Sequence, residues 1–548
     1  MSVQFPWSVK SQRLRLIQIA ELRSIPMPDR HSFGEIHLDV TAGRERVQGI
    51  PGSETPFRVA LLGDFSGRGN RRLIEIGEAM ANRRPTLIDR DNYDSVFAKM
   101  APHLDLRIGG KDGHPITLKF GDLDEFHPDS LFRKVPLFQK LRDTREKLSD
   151  PETYAETAGE LGIGGPRPRA VAPAPLEPHR DSSADVQQAV SGSLLDQMLE
   201  ETEKKADQPH PSRVPDPWTS LVRSIIAPHI VPRADPRQAE ALGLLDLATS
   251  AQMSALLHLP AFQDLESAWR AVFFLVRNLE TSSRIEVLLI DASKEELSWD
   301  LASSPDLSST GTYRLLVEKT VGTPGAEPWA LLAGNYTFDS TREDVELLGR
   351  MAKVAAAAGA PFITAASPGL LGCDSVADLP DWHKWRKQPA PEAAAVWAAL
   401  RGLAEARYLG LALPRFLIRL PYGKDTESTE LFDFEEIPDP AAHDDYLWAN
   451  PAFAAVLLLA QTFTEQGWEL RPGTLSEITG LPIHIYTQDG ESRTKPCAEV
   501  LMTQTAAEEM MEKGFMPLAS LKDQPVIRLI RFQSITDPPS ALAGRWNL

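Results

Sequence analysis

Only two cysteines, Cys373 and Cys497, occur in 548 residues. So few thiols build neither a disulfide framework nor a cysteine-rich zinc cluster, and both read as buried or incidental. Long apolar runs are also missing. The longest candidate, Ala452 to Ala460, falls far short of the ~20 residues that span a bilayer, so no direct membrane insertion is expected. The N-terminus carries Lys10, Arg13 and Arg15, but charge interrupts Leu14, Leu16 and Ile17, which makes a poor signal peptide and predicts a cytoplasmic protein. An excess of positive charge is lacking too. The formal net charge is −18, which disfavours nucleic-acid binding and suits a soluble subunit kept from premature association by self-repulsion.

Catalytic constellations are equally scarce. The twelve histidines include no His-x-x-x-His pair and no dense His/Cys grouping, so no metal and no cofactor is expected. The strand-to-loop stretch Gly63–Asn70 invites a phosphate-binding reading, because glycines let backbone N–H groups approach an anion. It lacks the Gly-Lys-Ser/Thr ending of a P-loop, and Ser66, preceded by Asp64 and Phe65, is not a Gly-x-Ser-x-Gly nucleophile. A tight turn is the simpler expectation. Asp89, Asp91 and Asp94 lack the Gly and terminal Glu of a calcium loop and are expected to cap the following helix. His484 reads as a core or half-buried histidine, and Glu435–Glu436 and Asp444–Asp445 as solvated loop charge. Nothing assembles a nucleophile, a base and an orienter, so the expectation is no enzyme, with a nucleotide-dependent enzyme as a distant alternative.

What is present is an ordinary globular composition, 42% apolar and 24% charged, over a length that suggests three or four domains at roughly 150 residues each. Residues 1–34 read as an arm. Glu35–Val40 alternates Ile36, Leu38 and Val40 against Glu35, His37 and Asp39, a half-buried strand with nothing local to pair with. A buried strand is expected at Phe57–Leu62, a helix at Arg71–Asn82, a strand at Ile116–Phe120, and two helices headed by Pro128 and Pro136. Residues 162–217 hold two Pro-rich stretches that read as an extended linker. Between them lies the isolated amphipathic helix Ser193–Lys205, with Leu194, Leu195, Met198 and Leu199 on one face. Such a stripe suits a groove-binding peptide or docking on its own domain.

From Trp218 the pattern is helical to about Asn278 and then alternates. Strands are expected at Ile285–Asp291, Trp329–Tyr336, Pro361–Ala366, Arg415–Leu420, Pro482–Thr487, Phe515–Leu521 and Val526–Gln533. Helices are expected at Val345–Ala358, Ala393–Ala404 and Pro451–Gln466. The fold class is therefore α/β: two α/β units, 35–161 and 218–548, joined by the Pro-rich linker, with helical extensions.

Long blocks carry a resemblance. "TPFRVALLGDFSGRGN" (Thr55–Asn70), "IDRDNYDSVFAKMAPHLDLRI" (Ile88–Ile108) and "LDEFHPDSLFRKVPLFQKLRDTREKL" (Leu123–Leu148) resemble the small sheath subunit of bacterial type VI secretion systems, the TssB/VipA family. "LPAFQDLESAWRAVFFLVRNLET" (Leu259–Thr281), "APFITAASPGLLG" (Ala360–Gly372), "ARYLGLALPRFLIRLPYG" (Ala406–Gly423) and "YLWANPAFAAVLLLAQTFTEQGW" (Tyr446–Trp468) resemble the large subunit, TssC/VipB. The resemblance implies a fused protomer of a contractile sheath that self-assembles into a helical tube around a needle-tube (Hcp-like) protein on a baseplate and contracts to expel the needle. It implies recognition of a helix like Ser193–Lys205 by a AAA+ disassembly ATPase (ClpV-like) through Leu194, Leu195, Met198 and Leu199. It also implies strand exchange between protomers, in which Ile36, Leu38 and Val40 would take part. One departure stands out: the large-subunit family continues past the block that "FQSITDPPSALAGRW" resembles, and that tail contributes inter-protomer strands. A non-polymerising sheath-like accessory or baseplate protein is therefore the alternative. Fusion would make small-with-large pairing intramolecular at a fixed one-to-one ratio.

Overall fold

A computed structural model describes residues 33–36, 51–108, 113–162, 238–386 and 390–547. In the first block, β1 (Phe57–Gly63) and β2 (Thr86–Ile88) are followed by the hairpin β3 (His103–Ile108) and β4 (His114–Lys119). The second block supplies β5 (Ile285–Asp291), β6 (Leu331–Phe338), β7 (Phe362–Ala366) and β8 (Leu409–Leu413), then the short pair β9 (Phe416–Leu417) and β10 (Trp448–Ala449). It ends with β11 (Glu477–Thr479), the hairpin β12 (Ile485–Gln488) and β13 (Glu491–Thr494), β14 (Met516–Ser520) and β15 (Val526–Leu529).

The α/β class holds, and the two blocks share one sheet. Nine strands run in the order β11-β15-β14-β8-β7-β6-β1-β5-β2. β1 of the first block lies between β5 and β6 of the second and is parallel to both, pairing from Phe57↔Ile285 to Gly63↔Asp291 on one side and from Val59↔Leu331 to Leu62↔Gly334 on the other. The near-continuous apolar run of β1 follows from cover on both faces. Phe57, Val59 and Leu61 point into one core with the helices Pro260–Asn278 and Pro451–Gln466, whereas Ala60 and Leu62 point into the other with Lys294–Ala302 and Arg342–Ala358. Each large side chain so buried contributes roughly 1.5–3 kcal/mol.

Local sequence sets the helix ends. Pro451 occupies the first turn of its helix, and the Asn450 side chain accepts from the Ala452 N–H. Thr341 caps Arg342–Ala358, which stops at Gly359 in a left-handed conformation. Ser293 and Glu296 form a capping box on Lys294–Ala302. Among the described residues no helix is long and apolar enough to cross a membrane.

Two expected elements are displaced. The helix expected over Arg71–Asn82 is reduced to Glu78–Ala81. Arg72 and Gly77 adopt positive φ (55° and 60°), and the Glu75 and Gly77 N–H groups donate to Glu296 and Asp300 of the second block instead of to a helix of their own. In place of a strand over Arg415–Leu420, the sheet takes Leu409–Leu413, and only Phe416–Leu417 pairs further on. Arg415 and Arg419 there are bound to buried carboxylates, which fixes the segment as a loop. The sequence reading also passed over β2 and over β3, although Leu104, Leu106 and Ile108 alternate cleanly with exposed neighbours.

Candidate functional site at the seam between the two blocks

The Gly63–Asn70 turn follows β1 at the C-terminal edge of the parallel strands, where α/β proteins commonly hold ligands. Gly67 sits at φ 80°, and a Cβ there would lie 2.2 Å from the His103 carbonyl oxygen, so the turn admits only glycine. Four of its N–H groups are already used. Asp64 accepts from the amides of Arg68 (2.6 Å) and Gly69 (2.7 Å), and Asp291 on β5 accepts from the amides of Phe65 (2.9 Å) and Ser66 (3.1 Å) and from the Ser66 hydroxyl (2.7 Å). Carboxylates thus occupy four of the donors a phosphate would need. Burial pushes the Asp64 carboxyl above its usual range, against the pull of the Gly69 and Arg68 amides.

The same turn is the centre of the seam. Trp269 donates its indole N–H to the Phe65 carbonyl (2.7 Å), and Tyr93 donates its hydroxyl to the Trp269 carbonyl (3.0 Å). Glu296, fully buried, receives two guanidinium groups from the first block: Arg68 at 2.8 Å and Arg83 in a shorter contact. Burial alone would raise this carboxyl, but the hydrogen bonds from Arg68 and Arg83 hold it at about 2. Asp300 accepts from the amides of Gly77 (2.6 Å) and Thr312 (2.6 Å), and Asp129 of the first block accepts from the amides of Glu430 (2.9 Å) and Leu431 (3.1 Å). Arg58 pairs with Glu286 at 2.8 Å.

A second ionic cluster lies wholly within the second block and corrects the reading of Glu435–Glu436 as solvated. Glu435 is exposed, but Glu436 is 1% exposed and faces inward. Arg419 donates to Glu436 (2.7 and 2.8 Å) and to Glu266 (2.8 Å), Arg270 donates to Glu266 (2.7 Å) and to the Tyr422 hydroxyl (2.9 Å), and the Tyr422 amide donates to Glu436 (2.7 Å). Burial opposes ionisation of Glu436, yet Arg419 overcomes it and holds the carboxyl at about 2. Asp444 is exposed as expected. His484 is buried, its Nδ1 2.8 Å from the Tyr446 hydroxyl, and burial lowers its pKa. Cys373 and Cys497 are buried and free, with thiols pushed up to about 12 and about 11 by burial.

A cleft of ≈ 490 Å³ opens beside the seam, lined by Asp64, Asp264, Lys294, Asn335, Arg415 and Asn450 among others. Its cations are taken: Lys294 by Asp344 (2.6 Å) and Arg415 by Glu499 (2.7 Å). Desolvation lifts the Asp264 carboxyl to about 6. No nucleophile is hydrogen-bonded to a base here, and among the described residues no group of three His, Cys, Asp or Glu could hold a metal. The arrangement is a fastening.

Of the residues expected to contact partners, Ile36 is half-buried against the second-block core, beside a bridge between Glu35 and Asp306. Leu38, Val40, Leu194, Leu195, Met198 and Leu199 lie outside the described residues. The seam carboxylates Asp291, Glu296 and Asp300 were missed, since their partners across the seam lie more than two hundred positions away.

Comparison with known proteins follows the same division. Residues 240–536 match the VipB family model, described as EvpB/VC_A0108, tail sheath N-terminal domain, and residues 35–161 match the type VI secretion system VipA model (VC_A0107 or Hcp2). Type VI secretion system sheath protein TssC1 of Pseudomonas aeruginosa is 38% identical over 303 residues, 54% of this chain and 61% of that protein. Sheath protein TssB1 of the same organism is 27% identical over 107 residues, 19% of this chain and 60% of that protein. The chain thus spans about three fifths of the length of the curated relatives it matches. With the VipB model covering more than half of it and a VipA unit wedged into the same sheet, the chain belongs to the VipB tail-sheath family, as a fusion of the small (TssB) and large (TssC) type VI sheath subunits.

Proposed function

We propose that this protein is a structural protomer of a type VI-like contractile sheath, which polymerises in the cytoplasm around a needle tube, docks on a baseplate and contracts to drive the needle out. One observation carries the reading: VipA-like and VipB-like blocks occur in order on one chain and complete a single sheet through β1. A protomer that must move as one body during contraction needs such a rigid joint, and the committed donors and cations of the seam suit a mechanical role better than a chemical one. The Glu35–Val40 segment would link protomers by strand addition, and Leu194, Leu195, Met198 and Leu199 would engage a AAA+ ATPase that recycles contracted sheath.

Negative-stain electron microscopy of the purified chain, alone and co-expressed with its needle-tube protein, tests this. Hollow tubes or cog-wheel rings are expected; dispersed particles under both conditions would replace the sheath role with that of a sheath-like accessory subunit. Leu195→Asp with Leu199→Asp should abolish ATPase capture while leaving the fold intact, and unchanged capture would refute the helix assignment.

A further inference from the structure

Residues 418–447 join the paired strands β9 and β10 by a long excursion whose one helical turn is His443–Asp445. Connections of this length without helix or strand are uncommon unless they act as lids or straps. The two ends of this strap are built differently. At the base, Arg419, Tyr422, Glu436, Ile437 and Tyr446 are buried. The base also closes on itself: the Glu436 amide donates to the Tyr422 carbonyl (2.9 Å), and the Tyr422 amide donates to the Glu436 carboxylate (2.7 Å). With Arg419 and Glu266 bound beneath, opening the base would leave buried charges unpaired, a costly step. None of these hydrogen bonds uses a first-block residue.

The tip, Thr429–Asp433, reaches the first block and is far less enclosed. Glu430 and Asp433 are exposed, Leu431 is 41% exposed and Phe432 is half-buried. The tip holds the helix Pro128–Lys134 through the Asp129 carboxylate, which accepts from the Glu430 and Leu431 amides, and through the Phe132 ring, stacked on Phe432 at 4.6 Å. Beside these contacts lies a cleft of ≈ 740 Å³, walled by Phe132, Leu141 and Arg142 of the first block and by Thr249, Leu431 and Asp433 of the second. Parting the tip from the helix therefore exposes little new apolar surface, and water can serve the freed carboxylate and both amides. His127 also meets the base, its ring edge-on to Tyr422 at 4.8 Å, which leaves the Arg419–Glu436 pair within the second block.

We propose that residues 418–447 act as a latch, with a base locked by its own ionic cluster and a tip, Thr429–Asp433, that opens and closes over the helix Pro128–Lys134 without disturbing the shared sheet. The base takes its shape within the second block, and the tip closes once the first block is in place. Opening the tip widens the cleft at Phe132 and Thr249 while β1 keeps the two blocks joined.

Native-state hydrogen exchange of the full-length chain, read amide by amide across sub-denaturing urea, tests the latch. After correction for intrinsic rates, the Glu430 and Leu431 amides should exchange at least about a hundredfold faster than those of Tyr422 and Glu436, because a local opening costs less than a larger one. Their rates should stay flat as urea rises, since little surface is exposed, while those of Tyr422 and Glu436 climb. Asp129→Ala should speed Glu430 and Leu431 by about tenfold, the loss of a charge-assisted acceptor. Glu436→Gln should speed the base and leave the tip at its original rate, because the open latch keeps its base intact. One common rate and urea dependence for both ends in the unaltered chain would overturn the proposal, as would a tip that ignores Asp129→Ala or follows Glu436→Gln.

Discussion

Glu296 and Glu436 are chemically alike and mechanically different. Both carboxylates are buried, both are held at about 2, and each is clamped by guanidinium groups. Glu296 takes its arginines, Arg68 and Arg83, from the other sequence block, so it fastens two blocks; Glu436 takes Arg419 from seventeen residues away and fastens one block to itself. Arg68 and Arg83 keep side-chain exposures of 14% and 11%, against 6% for Arg419. Both guanidinium groups on Glu296 therefore retain access to water that Arg419, the one on Glu436, has lost. A joint that must first be assembled benefits from ions that are not fully dehydrated, because desolvation can exceed the Coulomb gain.

The sharpest test of this contrast separates the blocks. Residues 163–548 expressed without 1–162 leave β5 and β6 with no strand between them, exposing ladder donors and acceptors and both core faces. We expect insoluble or molten protein, rescued by co-expression of 1–162 as a separate chain. Recovery would appear as slow hydrogen exchange in β5 and β6. A native-like spectrum from 163–548 alone would mean that the seam is an ordinary surface contact.

Within the folded chain, Arg419→Met should be the most damaging single change of the two clusters, about 3–5 kcal/mol, because it leaves Glu266 and Glu436 buried without their shared cation. Denaturant unfolding measures it. Glu296→Gln should cost less, about 2 kcal/mol, because Arg68 and Arg83 can turn partly to water and Arg68 keeps Glu75 (2.7 Å). The reverse order would break the comparison. Acid sharpens it: a carboxyl whose folded pKa lies below its unfolded value of 4.5 adds stability that is complete above that value and lost as pH falls toward about 2. The Glu296→Gln variant should show a shallower loss of stability between pH 4.5 and 2 than the unaltered chain.

How far the sequence revealed this follows from the range of each interaction. β5 and the helix Pro451–Gln466 were legible to the residue, because an apolar run bounded by polar residues, or a proline after Asn450, is a local signal. β1 was legible as a strand, but its place between β5 and β6 was not, since parallel pairing leaves no mark in the residues between. Glu436 looked solvated because its neighbour Glu435 is; Arg419 and the Tyr422 amide, brought in by the fold, distinguish the two. The expected helix over Arg71–Asn82 failed for the same reason, its backbone donors being drawn to Glu296 and Asp300.

A further fastening, outside the seam, holds residues 33–36 to the second block. Phe33 is buried against Gly349, the Gly34 carbonyl accepts from Lys353, and Glu35 exchanges backbone hydrogen bonds with Pro305 (2.7 Å) and Leu307 (2.8 Å). A Cβ on Gly349 would stand 2.1 Å from the Phe33 ring, so Gly349→Ala must displace that ring. The helix Arg342–Ala358 itself gains from alanine, by up to about 1 kcal/mol. Global stability should therefore hardly move, while the Leu307 amide exchanges faster as the arm lets go. Seam variants should do the opposite, lowering global stability and leaving Leu307 protected to the same fraction of it. If Gly349→Ala instead lowers global stability as much as Glu296→Gln, the arm is part of the joint, and the strand exchange proposed for Glu35–Val40 falls.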